Sequence, residues 1–140
     1  MLKGIPSILS PELLKILMEM GHGDEIVISD GNFPGASMAN KLVRADGHGV
    51  SELLDAVLQL MPLDQYVEKP VVLMEVVKGD DFKPVIWEDF KTIIERHEPG
   101  TKIEHMERFA FYERAKKAYA VVNSGETSKY ANVILKKGVV

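Results

Sequence analysis

Two residues whose side chains can hold or transfer a proton flank the first short apolar run of the chain. His22 lies between Gly21 and Gly23, and Asp30 directly follows the segment Glu-Ile-Val-Ile-Ser at positions 25–29. The unperturbed pKa of histidine, about 6.5, lies near neutrality, so His22 is a candidate general acid or base. A carboxylate such as Asp30 can accept hydrogen bonds from hydroxyl groups of a ligand. Each residue also fits an ordinary structural role, at a helix end or within its own turn, and the local sequence leaves both open.

A second group of polar and aromatic side chains lies in the last third of the chain. Arg108 begins the segment Arg-Phe-Ala-Phe-Tyr-Glu-Arg-Ala at positions 108–115, and Tyr130 and Asn132 precede the last apolar run. A cation at a helix N-terminus opposes the helix dipole, which favours a partner outside the helix for Arg108. Tyr130 and Asn132 combine a flat ring with hydrogen-bond donors and acceptors, as sugar binding requires. A half-buried helix followed by a strand start would explain the same residues.

The chain lacks the residues or motifs that thiolate, metal-dependent and nucleotide-dependent chemistry would require. The chain contains no cysteine, so thiolate nucleophiles, disulfides and cysteine metal sites are excluded. The remaining histidines, at positions 48, 97 and 105, show no metal-ligand spacing, and no glycine-rich phosphate or dinucleotide motif follows a strand. A metal site made by His22 and Asp30 is the weaker alternative to an acid–base role. We therefore predict neither a metal nor a cofactor.

Net charge and hydropathy restrict the possible classes of partner and the expected cellular location. The formal net charge of -4 at pH 7 disfavours binding to nucleic acid. No apolar run approaches the roughly 20 residues of a membrane-spanning helix, so we predict no membrane segment. The first residues lack the pattern of a signal peptide, and the absence of cysteine suits a reducing compartment. The expected location is the cytoplasm.

Helical and strand patterns alternate along the chain. Ser10 can cap a first helix that Gly21 would end in a left-handed turn, and Ser51 can cap a second helix. The segment from Asp30 to Ser37 reads as a loop because it is rich in Gly, Pro and Asn. Further helices are predicted after Pro84 and over about 109–117. Strands are predicted at 25–29, 42–45, 71–77, 102–106, 119–123 and 132–137.

This alternation predicts one domain over residues 1–140, an α/β fold with three layers. We expect an α/β/α sandwich around a central, mostly parallel mixed sheet of about six strands. No helix separates the last two strands, so that pair could be antiparallel. In open α/β sheets, ligands bind beyond the carboxyl ends of the strands. The loop that starts at Asp30 is therefore the first expected site.

Several segments, taken in order, resemble the L-fucose mutarotase / D-ribose pyranase family. The resemblance covers nearly the whole chain, and it is weakest from Leu63 to Lys102. Its main segments are Ser10-Pro11-Glu12-Leu13-Leu14, Glu19-Met20-Gly21-His22-Gly23-Asp24-Glu25, Ser29-Asp30, Arg44-Ala45-Asp46-Gly47, the 108–115 segment and Lys129-Tyr130-Ala131-Asn132.

The resemblance implies an isomerase without a cofactor that opens and recloses the ring of a monosaccharide. It implies that His22 is the proton donor and that the sugar is held by Asp30, Arg108, Tyr130, the Ala131 backbone and Asn132. The segment that begins at Arg108 resembles the fucose branch of the family, because the ribose branch typically carries histidine at this position. L-fucose is therefore the expected substrate. The family also implies a homodecamer of two stacked pentamers. Alternatives are pyranose–furanose interconversion of ribose and a non-catalytic sugar-binding accessory of an uptake system.

Overall fold

Five helices and six strands alternate in the computed structural model, which describes all residues 1–140. Ser10 caps the first helix as predicted, since its hydroxyl accepts a hydrogen bond from the Leu13 N–H at 3.1 Å. The elements, in chain order, are α1 (Pro11–Glu19), β1 (Glu25–Ser29), α2 (Gly35–Met38), β2 (Leu42–Ala45), α3 (Val50–Leu58), β3 (Val71–Met74), α4 (Ile86–His97), β4 (Ile103–Met106), α5 (Arg108–Lys117), β5 (Ala120–Ser124) and β6 (Val133–Lys136).

The strands form one six-stranded mixed sheet in the order β2-β5-β1-β6-β3-β4. The pairs β1–β5, β2–β5 and β3–β4 are parallel, whereas β6 runs antiparallel to both of its neighbours, β1 and β3. The predicted α/β fold with a mostly parallel mixed sheet is therefore confirmed. The last two strands are not a pair, because β1 lies between them.

Both faces of the sheet are buried, which makes three layers. Along β1, Ile26 and Ile28 belong to the larger apolar core, and Val27 between them belongs to the smaller one. Successive strand residues point to opposite faces, so strands covered on both sides read as continuous apolar runs. Helices α1, α3 and α4 pack on the larger core, whereas α5 contributes Phe111 and Ala115 to the smaller.

Local boundaries differ from the predictions in four places. The left-handed residue after α1 is Gly23, with φ +86°, not Gly21. The 30–37 segment includes the short helix α2, and α3 is capped at Gly49, whose N–H donates to the Glu52 carboxylate at 2.8 Å, not by Ser51. Strand β3 ends at Met74 rather than at position 77, because both neighbouring strands leave the sheet there.

None of the helices combines the length and the apolar character that crossing a bilayer would require.

Gly125, at the carboxyl end of β5, lies against the backbone of the segment after β2. A Cβ atom at position 125 would come within 1.9 Å of the Asp46 carbonyl oxygen, and backbone cannot move aside as a flexible side chain can. We expect Gly125→Ala to lower the free energy of unfolding by about 1–3 kcal/mol, as overpacking does. The matched control is Gly47→Ala, where a Cβ would meet no atom within 4 Å. Equal denaturant midpoints for the two variants would contradict this prediction.

Candidate active site

A cleft of about 220 Å³, lined by both polar and apolar side chains, opens at the ends of the central strands. The carboxyl ends of β1 and β3 meet there with the amino end of the antiparallel β6 and the first turn of α5. Typical drug-sized pockets hold about 300–1,000 Å³, so this cleft suits a smaller ligand such as a single sugar ring. Its lining consists of Asp30, Asn32, Phe33, Met74, Val77, Arg108, Tyr112, Lys129, Tyr130 and Asn132.

Asp30 and Asn132 form a reciprocal pair at the floor of the cleft, each only 4% exposed. The Asp30 N–H donates to Asn132 Oδ1 at 2.9 Å, and Asn132 Nδ2 donates to Asp30 Oδ2 at 3.1 Å. The Asn32 N–H donates to the other carboxylate oxygen at 3.0 Å. Burial raises the pKa of Asp30 above its ordinary value, although these donors and the Ala131 backbone oppose the shift. Ala131 is fully buried and its side chain has no polar atom, so it takes part through its backbone, which hydrogen-bonds Asp30.

Asn123, on β5, holds the loop that carries Asp30. Its Nδ2 donates to the Asp30 carbonyl at 3.1 Å and to the Phe33 carbonyl at 3.3 Å. Its Oδ1 is buried without a hydrogen-bond partner and lies where a side chain on Gly35 would have to go. The loop is therefore held from a neighbouring strand, and its geometry does not depend on its own turn alone.

Arg108 lies at the rim of the cleft, exposed, in the first turn of α5. Its Nε donates to the Tyr112 hydroxyl at 3.1 Å, and its guanidinium group lies 5.3 Å from the ring centres of Phe109 and Tyr112. Glu107 accepts from two backbone N–H groups of the first turn, and the Nε bond to Tyr112 is the one side-chain hydrogen bond that Arg108 makes within the chain. The terminal nitrogens of Arg108 are thus available to a ligand.

His22 lies at the other end of β1, beside the carboxyl end of β6. Its Nε2 is 3.0 Å from Oδ1 of the buried Asp64, which also accepts from the Tyr66 N–H. These two contacts lower the pKa of Asp64, the Tyr66 backbone bond more than His22. An ionised Asp64 can only accept, so Nε2 carries the hydrogen that is donated to it, and Nδ1 of the half-exposed ring has no hydrogen-bond partner in the chain.

Within one chain, the structure brings Asp30, Arg108, Tyr130 and Asn132 together, with the backbone of Ala131 behind them. It does not bring His22 to them, because the five residues of β1, at about 3.3 Å each, put roughly 17 Å between the two ends. Sequence reasoning missed Asp64 and Asn123. Asp64 hydrogen-bonds His22, 42 positions earlier in the chain, and Asn123 hydrogen-bonds the loop that carries Asp30, about 90 positions earlier. No local pattern signals such contacts.

A larger surface groove, of about 630 Å³, lies between α4 and the edge strand β4. It is lined by Lys91, Thr92, Ile94, Glu95, Thr101, Ile103 and His105 and contains none of the predicted site residues. It lacks the buried hydrogen-bonded carboxylate that marks the smaller cleft, so we assign the candidate site to the cleft around Asp30.

Fold and cleft together define a small α/β sandwich protein with a candidate binding site at the carboxyl ends of β1 and β3. The chain belongs to the RbsD / FucU transport protein family, whose model matches residues 3–140. It is 54% identical to an L-fucose mutarotase of Actinobacillus pleuropneumoniae over 140 residues, covering 99% of this chain and 97% of the relative.

Solved structures agree with this assignment. The fucose mutarotase of Streptococcus pneumoniae, crystallised in complex with L-fucose, is 59% identical, with a TM-score of 0.94 over 99% of each chain. Bacillus subtilis RbsD complexed with D-ribose is more distant, at 26% identity and a TM-score of 0.73 over 100% of this chain and 99% of the other.

Proposed function

We propose that this protein is an L-fucose mutarotase, an isomerase that interconverts the α and β anomers by opening and reclosing the sugar ring. The observation that carries the proposal is the cleft in which Asp30, Asn132, Tyr130 and Arg108 meet, in a chain so similar to a protein that binds L-fucose. Residues 1–140 act as one domain. The reaction breaks and re-forms one carbon–oxygen bond with proton transfers and creates no redox or carbanion intermediate, so it requires no cofactor.

The cleft supplies what a monosaccharide needs from a binding site. Asp30 accepts hydrogen bonds from hydroxyl groups, Asn132 both donates and accepts, and Arg108 donates through its free terminal nitrogens. Phe33 and Tyr112, whose rings lie 5.5 Å apart, offer apolar surface to the C–H face of the ring. Charged and neutral partners together hold the sugar in one orientation.

His22 carries the proton in our proposal. As the bond between the anomeric carbon and the ring oxygen breaks, protonated His22 donates its Nδ1 proton to the ring oxygen, and the anomeric hydroxyl gives its own proton to a solvent water while C1 becomes the aldehyde carbon. The open aldehyde rotates about its C1–C2 bond, and reclosure on the other face returns both protons. Asp64 is a positioning residue for His22, because its carboxylate orients the ring and stabilises the cation.

Because His22 and the cleft lie at opposite ends of β1, we assign them to one site made by two copies of the chain. The amino end of β1 in one copy would face the carboxyl end in the next, which is a head-to-tail interface. Head-to-tail interfaces form a ring when the rotation from copy to copy closes, and the pentamers stacked into a homodecamer that we expect from the family meet this condition. Exposed apolar side chains such as Phe109, 65% exposed, and Tyr66, 78% exposed and beside His22, offer contact surface. We place the assembly in the cytoplasm.

The direct test is two-dimensional exchange NMR of the anomeric protons. We expect catalytic amounts of the protein to accelerate exchange of L-fucose anomers and to act less on D-ribose and D-galactose. Pyranose–furanose exchange of D-ribose at a rate equal to that of L-fucose would make the protein a pyranase as well. Sugar binding without any acceleration would leave only the sugar-binding accessory role.

Arg108 is the residue that we expect to determine the choice of sugar. Arg108→His should weaken L-fucose binding by about 10-fold, because a charge-assisted hydrogen bond at the rim is lost, and should narrow the preference for fucose over ribose. Calorimetric titration with both sugars measures this. The control is Arg44→His, since Arg44 is an exposed arginine that bonds Asp46 outside the cleft. An unchanged ratio of the two affinities would remove Arg108 from this role.

A further inference from the structure

Tyr130 is held at its hydroxyl by the segment that joins β3 to α4 and at its backbone by the first turn of α4. Its hydroxyl donates to Oδ2 of Asp80 at 2.7 Å, and its backbone carbonyl accepts from the indole Nε1 of Trp87 at 2.8 Å. Its ring lies 6.0 Å from that of Phe82, in the same segment. The position of Tyr130 in the cleft therefore depends on residues that do not themselves line it.

The backbone of Tyr130 shows that these contacts constrain it. Tyr130 has φ +58° and is the only residue other than glycine with a positive φ. Residues with a Cβ adopt this left-handed conformation at an energetic cost, so it persists only where the surroundings compensate. The hydrogen bond from Trp87 to the Tyr130 carbonyl provides such compensation. With ring and backbone anchored, the remaining freedom of Tyr130 is the direction of its hydroxyl proton.

Asp80 decides that direction. A phenol hydroxyl has one proton to donate and two lone pairs that accept, whereas a carboxylate only accepts. The mutual hydrogen bond lowers the pKa of Asp80 and raises the pKa of Tyr130, so that Asp80 stays ionised and Tyr130 stays protonated near neutral pH. The Val77 N–H approaches the hydroxyl oxygen at 3.4 Å and occupies one lone pair at most. The second lone pair stays free for a ligand in the cleft.

We propose that Asp80 is a positioning residue that makes the Tyr130 hydroxyl a hydrogen-bond acceptor toward a sugar hydroxyl. Without Asp80, the phenol proton would rotate toward the ligand, and Tyr130 would meet the hydroxyl as a competing donor. The inference rests on the proposed function, because it assigns to Tyr130 a direction of hydrogen bonding within the same site. It adds a specificity element contributed by the segment between β3 and α4, from outside the set of residues that touch the sugar.

A double-mutant cycle with Tyr130→Phe tests the proposal. Asp80→Ala should lower kcat/KM for L-fucose by about 3- to 10-fold, as expected for one hydrogen bond. In the Tyr130→Phe background, the same substitution should cause no further loss, because the proton that Asp80 directs is absent. Asp80→Asn should recover most of the activity, since its side-chain carbonyl can still accept. The control is Asp81→Ala, which removes an adjacent exposed carboxylate.

Two readouts distinguish this role from a merely structural one. Emission of Trp87, the single tryptophan, reports whether the start of α4 keeps its contact with the Tyr130 backbone in each variant. Equal losses from Asp80→Ala with and without the Tyr130 hydroxyl, in a wild-type background that accelerates anomer exchange, would overturn the role of Asp80 and leave the proposed function intact. A wild-type protein that leaves the exchange rate unchanged would overturn both.

Discussion

Replacing His22 with alanine should slow anomer exchange of L-fucose by about 10²–10⁴-fold, the range that a positioned acid–base group contributes. The fold should be retained, because the ring is half-exposed and its one hydrogen bond goes to Asp64. Exchange NMR measures the rate, and circular dichroism checks the fold. The control is His48→Ala, which removes a histidine whose ring contacts Glu52 and not the cleft. Exchange at the wild-type rate in His22→Ala would end the assignment.

Mixing tests whether His22 acts across a subunit interface. The variants His22→Ala and Arg108→Ala should each have low mutarotase activity when expressed alone. Co-expression of the two chains should restore part of this activity, because an intact His22 from one chain can then face an intact Arg108 from its neighbour. In a head-to-tail ring of randomly mixed chains, about a quarter of the interfaces pair an intact His22 with an intact Arg108. If the activity of the mixture does not rise above that of the single variants, then the two residues either act together within one chain or do not belong to the same site.

Asp30→Asn should lower kcat/KM for L-fucose by about 10- to 100-fold at neutral pH, because hydrogen bonds to a charged acceptor contribute roughly 1.5–3 kcal/mol each. The amide would also turn a donor toward Asn132 or the Asn32 N–H, where the carboxylate now accepts from both. Asp46→Asn is the control, since that carboxylate is exposed and bonds Arg44. A variant with wild-type kcat/KM would exclude Asp30 from sugar binding.

The pH dependence of Asp30 has a definite sign. Because burial raises its folded-state pKa above the ordinary 3.8, the folded chain binds this proton more tightly than the unfolded chain. Its contribution to the free energy of unfolding is complete below pH 3.8 and is lost as the pH rises through the raised value. Denaturant unfolding across this range should therefore show that the free energy of unfolding of wild type falls relative to that of Asp30→Asn as the pH rises, and a pH-independent difference between the two would contradict the shift.

Local patterns in the sequence predicted the elements and their class well. Residue spacing predicted Ser10 as a helix cap, the strand at 25–29 and the three-layer arrangement. Such features are predictable because capping and the alternation of strand side chains depend on neighbours within a few positions. The ends of the short strands were less predictable. The end of β3 at Met74 depends on where its partners β4 and β6 stop, and those partners come later in the chain.

The candidate chemical groups can be identified without a structure: a histidine between glycines, a carboxylate after a buried strand, and the arginine, tyrosine and asparagine of the last third. Which of these groups lie together depends on the sheet topology. Insertion of β1 between β5 and β6 brings Asp30 to Asn132, 102 positions away, and sends His22 to the opposite edge, where it meets Asp64. Strand order and direction arise from long-range pairing and two-sided burial, and no local propensity encodes which strand becomes the neighbour of which.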